Sequence, residues 1–257
     1  MERDIGRYFS ERLATLIREY CRRFGNIVDR NNAQELYTPY AVSRESRQRL
    51  SLATHEPAGA LSDQIYFAMV AKRSPARRNI VLFNAGGQGS GKTASLRFSD
   101  KSKQAFIVMD GTMQDFDKSC RNIDLALKNQ KLVHINYVYC PFAKAVENIV
   151  RRATDARGGR VVNIKRAAKG HYHAMANIFK IVEKYQDNPS FTYAVVDNSG
   201  KKPKKMTLQR LRKLRYRSID ALERQGYSAV DDYYAAFKAH NPSLTDELYR
   251  LLQGKSK

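Results

Sequence analysis

Residues 79–93 read Asn-Ile-Val-Leu-Phe-Asn-Ala-Gly-Gly-Gln-Gly-Ser-Gly-Lys-Thr, and Gly86 to Thr93 fit the pattern G-x-x-x-x-G-K-[ST]. A loop of this kind constrains the fold around it. Its glycines allow backbone turns that a Cβ forbids, so successive amide groups can point inward as an anion nest. The loop must leave a buried strand and open a helix, because a helix N-terminus favours phosphate. Ile80-Val81-Leu82-Phe83 is the compact apolar run expected of that strand. Gly86, Gly87, Gln88, Gly89, Ser90 and Gly91 are therefore expected to line a triphosphate. Lys92 adds a charge at its β- and γ-phosphates, and the Thr93 hydroxyl is placed to hold Mg²⁺.

The pattern from residue 79 onward alternates strands and helices. Strands are predicted at 80–84, 105–110, 132–139 and 191–197, and helices at 92–98, 115–129, 141–156, 165–187 and 207–225. This order implies an α/β fold with a parallel sheet covered by helices on both faces, like that of the P-loop NTPases and kinases. Three regions follow: a helical N-terminal extension (1–78), a P-loop core (79–200) and a basic helical C-terminal extension (201–257). In the extension, one amphipathic helix is predicted over 3–24 and a second from Leu61 to Lys72. The stretch 30–57 reads as irregular, with Pro39 and Pro57 as breaks.

Ligands of such sheets bind beyond the carboxyl ends of the strands. Asp110-Gly111-Thr112 ends the second core strand. Asp110 suits either the Mg²⁺ shell or proton acceptance from an attacking hydroxyl, and an Asp-Gly turn is the structural alternative. Asp115 suits acceptor binding or the start of the next helix. Arg152 and Arg160 flank Gly158-Gly159 and suit a lid that neutralises charge on a transferring phosphoryl group. Asp197-Asn198-Ser199 closes the last strand and brings Asn198 to the same rim. His171 and His173 lack a third ligand for a metal, and His134 reads as packed within a strand.

Forty-six Lys and Arg against 25 Asp and Glu give a formal charge of +21. Such a field serves solubility and phosphate handling, or a polyanionic partner such as nucleic acid or an acidic protein. The stretch 201–217 concentrates it, with nine basic residues of 17 and no acidic one. Three cysteines without a C-x-x-C pair suggest neither disulfides nor zinc, which fits a reducing cytoplasm. No apolar run is long enough for a membrane span, and no leader pattern is expected at the start.

Taken together, Ala85–Thr93, Asp110-Gly-Thr112, the strand His134–Tyr139, Arg152, Arg160 and Asp197-Asn198-Ser resemble the zeta toxin family of P-loop kinases. The resemblance implies ATP (or GTP) with Mg²⁺ and transfer to a hydroxyl of an anionic acceptor, UDP-N-acetylglucosamine being the substrate class. It also implies a toxin held by an antitoxin partner. By position, Lys92 and Thr93 take phosphate and Mg²⁺, Arg152 and Arg160 clasp the phosphates, and Asp110 and Thr112 match the Glu-Gly-Thr substrate segment. The family's catalytic aspartate comes from a strand and helix between the phosphate loop and that segment. Here only 17 residues separate Lys92 from Asp110, with Asp100 the sole acidic residue among them. That leaves three outcomes open: Asp110 takes the role, the substrate differs, or transfer is lost. A nucleic-acid-binding P-loop ATPase or nucleotide switch is the alternative reading.

Overall fold

The run Ile80-Val81-Leu82-Phe83 forms part of a central strand whose six residues are all buried. The computed structural model describes residues 1–75, 77–97, 99–155 and 161–254. Its strands are β1 (Ile27–Val28), β2 (Ile80–Ala85), β3 (Ala105–Asp110), β4 (Leu132–Tyr139), β5 (Phe191–Asp197) and β6 (Lys204–Met206). They form one six-stranded sheet in the order β1-β3-β2-β4-β5-β6. All neighbours run parallel except β6, which returns antiparallel to β5. The sheet is the expected α/β arrangement, with the loop-bearing strand in its middle.

The N-terminal region holds α1 (Glu2–Glu11), α2 (Leu13–Phe24), α3 (Arg30–Gln34), α4 (Thr38–Ala41) and α5 (Arg44–Val70). The helix predicted over 3–24 is thus divided at Arg12. The stretch expected to be irregular is mostly helical. Ser43 caps α5 by accepting from the Ser46 amide, and the helix runs on through Pro57. Pro57 is buried with Leu61, Ile65, Tyr66 and Met69 on the face that meets the sheet. Tertiary burial there outweighs the cost of the missing amide.

This region is built into the sheet. Asn26 accepts from the Val108 amide at 2.9 Å and donates its side-chain amide to the Ala105 carbonyl at 2.9 Å. Tyr20, fully buried, donates to the Ile27 carbonyl at 2.8 Å and accepts from the Asp29 amide at 2.9 Å. These bonds lock β1 beside β3. Ile5, Leu16, Leu36, Leu61, Ile65 and Tyr66 share one core with Val81, Phe83, Ile107 and Ile135.

The remaining helices are α6 (Lys92–Leu96), α7 (Asp100–Lys103), α8 (Phe116–Lys128), α9 (Phe142–Thr154), α10 (Ile164–Tyr185), α11 (Leu208–Lys213), α12 (Ile219–Phe237) and α13 (Asp246–Gln253). Tyr66 donates to the Asn122 carbonyl at 2.6 Å and ties α5 to α8. The C-terminal region is also integrated. Leu211 enters the main core, while Leu222, Val230, Leu248 and Leu252 pack with Phe142, Ile149 and Ile164 in a second cluster. On the opposite face of the sheet Leu82 and Val108 are covered by Leu96. Among the described residues, no helix is long and apolar enough to cross a membrane.

Candidate phosphate-binding and transfer site

The carboxyl ends of β1, β3, β2 and β4 meet at one rim. The register pairs Val28 with Met109, and Asn84 with both Asp110 and Asn136. Asp29, one residue beyond β1, therefore comes alongside Asp110, which is itself level with Asn84. Three neighbouring parallel strands place two carboxylates and a carboxamide in one row.

The loop between β2 and α6 closes over this rim. Gly86 has φ 135° and Gly91 φ 87°, both in the region where a side chain is strained. A Cβ on Gly86 would also overlap the Val138 carbonyl, and one on Gly91 the Asn198 amide. The loop is supported from below as well. His171 on α10 is buried, and its Nε2 donates to the Gln88 carbonyl at 2.7 Å. Asn198 donates to the Ser90 carbonyl at 2.8 Å, and Asn148 to the Gly89 carbonyl at 2.9 Å. Asn198, expected to touch nucleotide, thus spends an amide hydrogen on shaping the loop. The buried Ser90 hydroxyl has no partner among the described residues, which leaves a donor in the wall of the cradle.

Lys92 reaches back over the loop and donates to the carbonyls of Gly86 and Gly87 at 3.0 and 2.9 Å. Burial lowers its pKa, and the charge of Arg152 adds to that; Asp110 and Asp29 pull the other way. Arg152, exposed in the last turn of α9, is therefore within electrostatic reach of Lys92. Arg160 lies outside the described residues.

Asp110 accepts from Thr93 Oγ1 at 3.1 Å and from Asn84 Nδ2 at 3.2 Å. Burial raises its pKa, Lys92 opposes that rise, and Asp29 reinforces it. Asn84 is held in turn by Asn136 at 2.9 Å, and Asn136 also donates to Ser95 Oγ at 3.2 Å. This buried chain of amides fixes the carboxylate beside Thr93. Hard oxygen donors on a hydroxyl and a carboxylate suit Mg²⁺, which keeps waters and phosphate oxygens in the rest of its shell. The fit of Thr93 and Asp110 to that ion rests on their hydrogen bond.

The other sequence-predicted residues are placed differently. Thr112 is half-buried in the turn after β3, and Asn177 pins that turn through the carbonyls of Met113 and Gln114 at 3.0 and 2.8 Å. Asp115 is exposed and caps α8, its Oδ1 accepting from the Lys118 amide at 2.9 Å. A capping carboxylate at this point satisfies an end amide of the helix, the helix-start alternative expected for it. Asp100, the sole acidic residue between Lys92 and Asp110, is exposed in the first turn of α7.

Sequence reasoning missed Asp29, whose charge acts on both Lys92 and Asp110. It is half-buried, and its Oδ1 accepts from the Asn31 amide at 2.9 Å. Beside it Arg30 packs on Gly59, hydrogen-bonds His55 and forms an ion pair with Glu56 at 3.8 Å. Arg166 adds a second positive charge against His55. The only sequence signal for Asp29 was a short Ile-Val-Asp run within a polar stretch.

His55, His134 and His171 are each pushed down to about 4, burial being the largest cause. The unfolded imidazoles protonate near 6.5, so between pH 6.5 and 4 the unfolded chain binds more protons. Stability present in full above pH 6.5 is therefore lost as pH falls toward 4. Asp110 works in the opposite sense and offsets at most one of the three. Unfolding free energies from urea titrations between pH 7 and about 4.5 are expected to fall, with a slope of up to about 4 kcal/mol per pH unit. A constant value across that window would contradict three neutral histidines, two of them buried and His55 half-buried.

The zeta toxin family model matches residues 101–203. The match takes in β3 through β5, beginning after the phosphate loop and covering less than half of the chain. That span is consistent with a zeta-toxin-type P-loop kinase-like domain, and suggests a kinase-type activity that acts with a nucleotide. No curated protein matches the chain.

Proposed function

We propose that this protein transfers the γ-phosphoryl group of ATP to a hydroxyl of an anionic acceptor. The observation that carries the reading is the rim where Lys92, Thr93, Asp110 and Asp29 converge. Lys92 exchanges the carbonyls of Gly86 and Gly87 for the β- and γ-phosphate oxygens. Thr93 and Asp110 would hold Mg²⁺, which would neutralise charge on the phosphates. Arg152 approaches from the end of α9 and spreads charge from the phosphoryl oxygens.

Asp110 already accepts from Thr93 and Asn84 and would be taken up by Mg²⁺, whereas the Asp29 oxygens accept from neighbouring Asn31. Asp29 is the carboxylate left to face an acceptor. In the step itself the acceptor oxygen bonds to the γ-phosphorus, the bond to the β-phosphate oxygen breaks, and the hydroxyl proton goes to Asp29. Arg30 and Arg166 give the acceptor side a positive wall, which favours a phosphorylated acceptor such as a UDP-amino sugar or a nucleotide. In this reading the protein is a toxin, and induction in a host is expected to arrest growth only while transfer is intact.

The direct test incubates the full chain with γ-labelled ATP and Mg²⁺ against UDP-amino sugars, nucleotides, tRNA and protein. Label is expected on one anionic acceptor class, and Lys92→Met is expected to lower transfer by at least about 10³-fold. Release of labelled phosphate without any labelled acceptor would favour an ATPase or nucleotide switch. Unimpaired transfer by Lys92→Met would overturn the assignment.

A further inference from the structure

Beyond the carboxyl end of β5 lies a cleft of about 510 Å³, lined by Lys201, Lys202, Lys204, Lys205 and Arg210 with Asp197 as its one carboxylate. Among the described residues none of the five cations makes an ion pair.

The cleft is held in shape. Lys144 donates to the carbonyls of Asn198, Ser199 and Gly200 at 3.2, 3.1 and 2.9 Å. Asn198 in turn is bonded to the phosphate loop at Ser90. The returning strand β6 pairs Lys205 with Val196 and Lys204 with Asp197, and Thr207 caps α11 just beyond. Four like charges on a fixed hairpin and a fifth, Arg210 on α11, are thus gathered around one carboxylate, an excess of positive charge that salt or an anion relieves.

The cleft lies on the β5 side of the cradle, across the loop from the rim where Asp29 and Asp110 stand. A single triphosphate is already served by Lys92, Arg152 and the loop amides. The five further cations exceed what one nucleotide needs, so their occupant brings phosphates of its own. Exposed Arg212, Lys213, Arg215 and Arg217 continue the positive charge past the cleft with no acidic residue between them. Nine cations within residues 201–217, a stretch tied to the phosphate loop through Asn198, are more than one nucleotide needs and match a phosphodiester backbone.

We propose that this cleft binds single-stranded nucleic acid through its backbone phosphates. The assignment stands apart from the phosphotransferase reading, because its probe is binding without ATP. The experiment titrates a labelled single-stranded RNA of about 20 nucleotides into the full chain from about 50 to about 300 mM KCl. The fourfold variant Lys201→Gln/Lys202→Gln/Lys204→Gln/Lys205→Gln is compared with Arg3→Gln/Arg7→Gln/Arg22→Gln/Arg121→Gln, which removes the same charge from other exposed positions. The cleft variant is expected to bind at least about tenfold more weakly and to lower the salt slope by about 3, at about 0.7 per phosphate contact. The control is expected to stay within about twofold of the parent.

Binding of Mg-ATP by the cleft variant checks that the cradle is intact. Should that binding fall, the double variant Lys201→Gln/Lys202→Gln decides, with an expected slope change of about 1.4. Equal losses in control and cleft variants would overturn the proposal. So would an unchanged slope, or competition by polyglutamate as effective as RNA, which would assign the cleft to an acidic protein.

Discussion

Asp29→Asn is expected to lower phosphoryl transfer by about 10²–10⁴-fold while leaving Mg-ATP affinity within about twofold, the loss typical of a removed general base. The Asn is nearly isosteric and can still accept the Asn31 amide, so the turn after β1 keeps its geometry. Asp110→Asn is expected to differ in kind. It removes the carboxylate that accepts from Thr93, so Mg²⁺ dependence should shift to higher concentration and nucleotide affinity should fall with it. Titration calorimetry with Mg-ATP, alongside single-turnover transfer, separates the two. Should Asp29→Asn transfer at the parent rate, or both variants lose nucleotide binding alike, the division between proton acceptor and metal ligand would be wrong.

Deleting residues 1–78 is expected to abolish folding rather than trim an appendage. Ile5, Leu16, Leu36, Leu61, Ile65 and Tyr66 are buried in the same core as the central strands. Burying each such side chain contributes roughly 1.5–3 kcal/mol, so losing the six together removes about 9–18 kcal/mol, comparable to the whole of a typical net stability of about 5–15 kcal/mol. The deletion also leaves β3 as an open edge, a template for aggregation. Fragment 79–257 is expected to lack a cooperative melt by circular dichroism and to precipitate. A cooperative transition with retained Mg-ATP binding would mean that the phosphate-loop region stands alone.

β2 and β4 were legible because they are buried almost throughout and read as apolar runs, and β3 and β5 because short apolar stretches end in a polar strand-end residue. The limits expected for β3, β4 and β5 coincide with those observed, and β2 extends by one residue to Ala85. β1 was not legible. Two residues carry no periodicity, and what defines Ile27-Val28 as a strand is pairing with β3, far away in the chain. Pro57 was read as a break because propensity counts the missing amide but cannot count the burial of α5. Arg12 divides a helix whose apolar spacing runs through both halves.

In the site, the glycine loop and its lysine could be read directly, since their chemistry is local. Asp110 could be placed by the strand-end rule, but not its bond to Thr93. Asp29 was hidden by order. In the resembling family the catalytic carboxylate lies between the phosphate loop and the next core strand, whereas Asp29 precedes the loop. Here a strand from upstream fills the place beside β3, so the rim is completed by residues that precede the loop.

That insertion has a consequence for synthesis. When Ile27 and Val28 leave the ribosome, the partner they need has yet to be translated. Roughly 80 more residues must follow, about 4–16 s at common elongation rates. Until then the first helices emerge without their sheet. If transfer needs Asp29 seated, the nascent chain cannot perform it until its middle is made, and a chaperone has that interval in which to hold it.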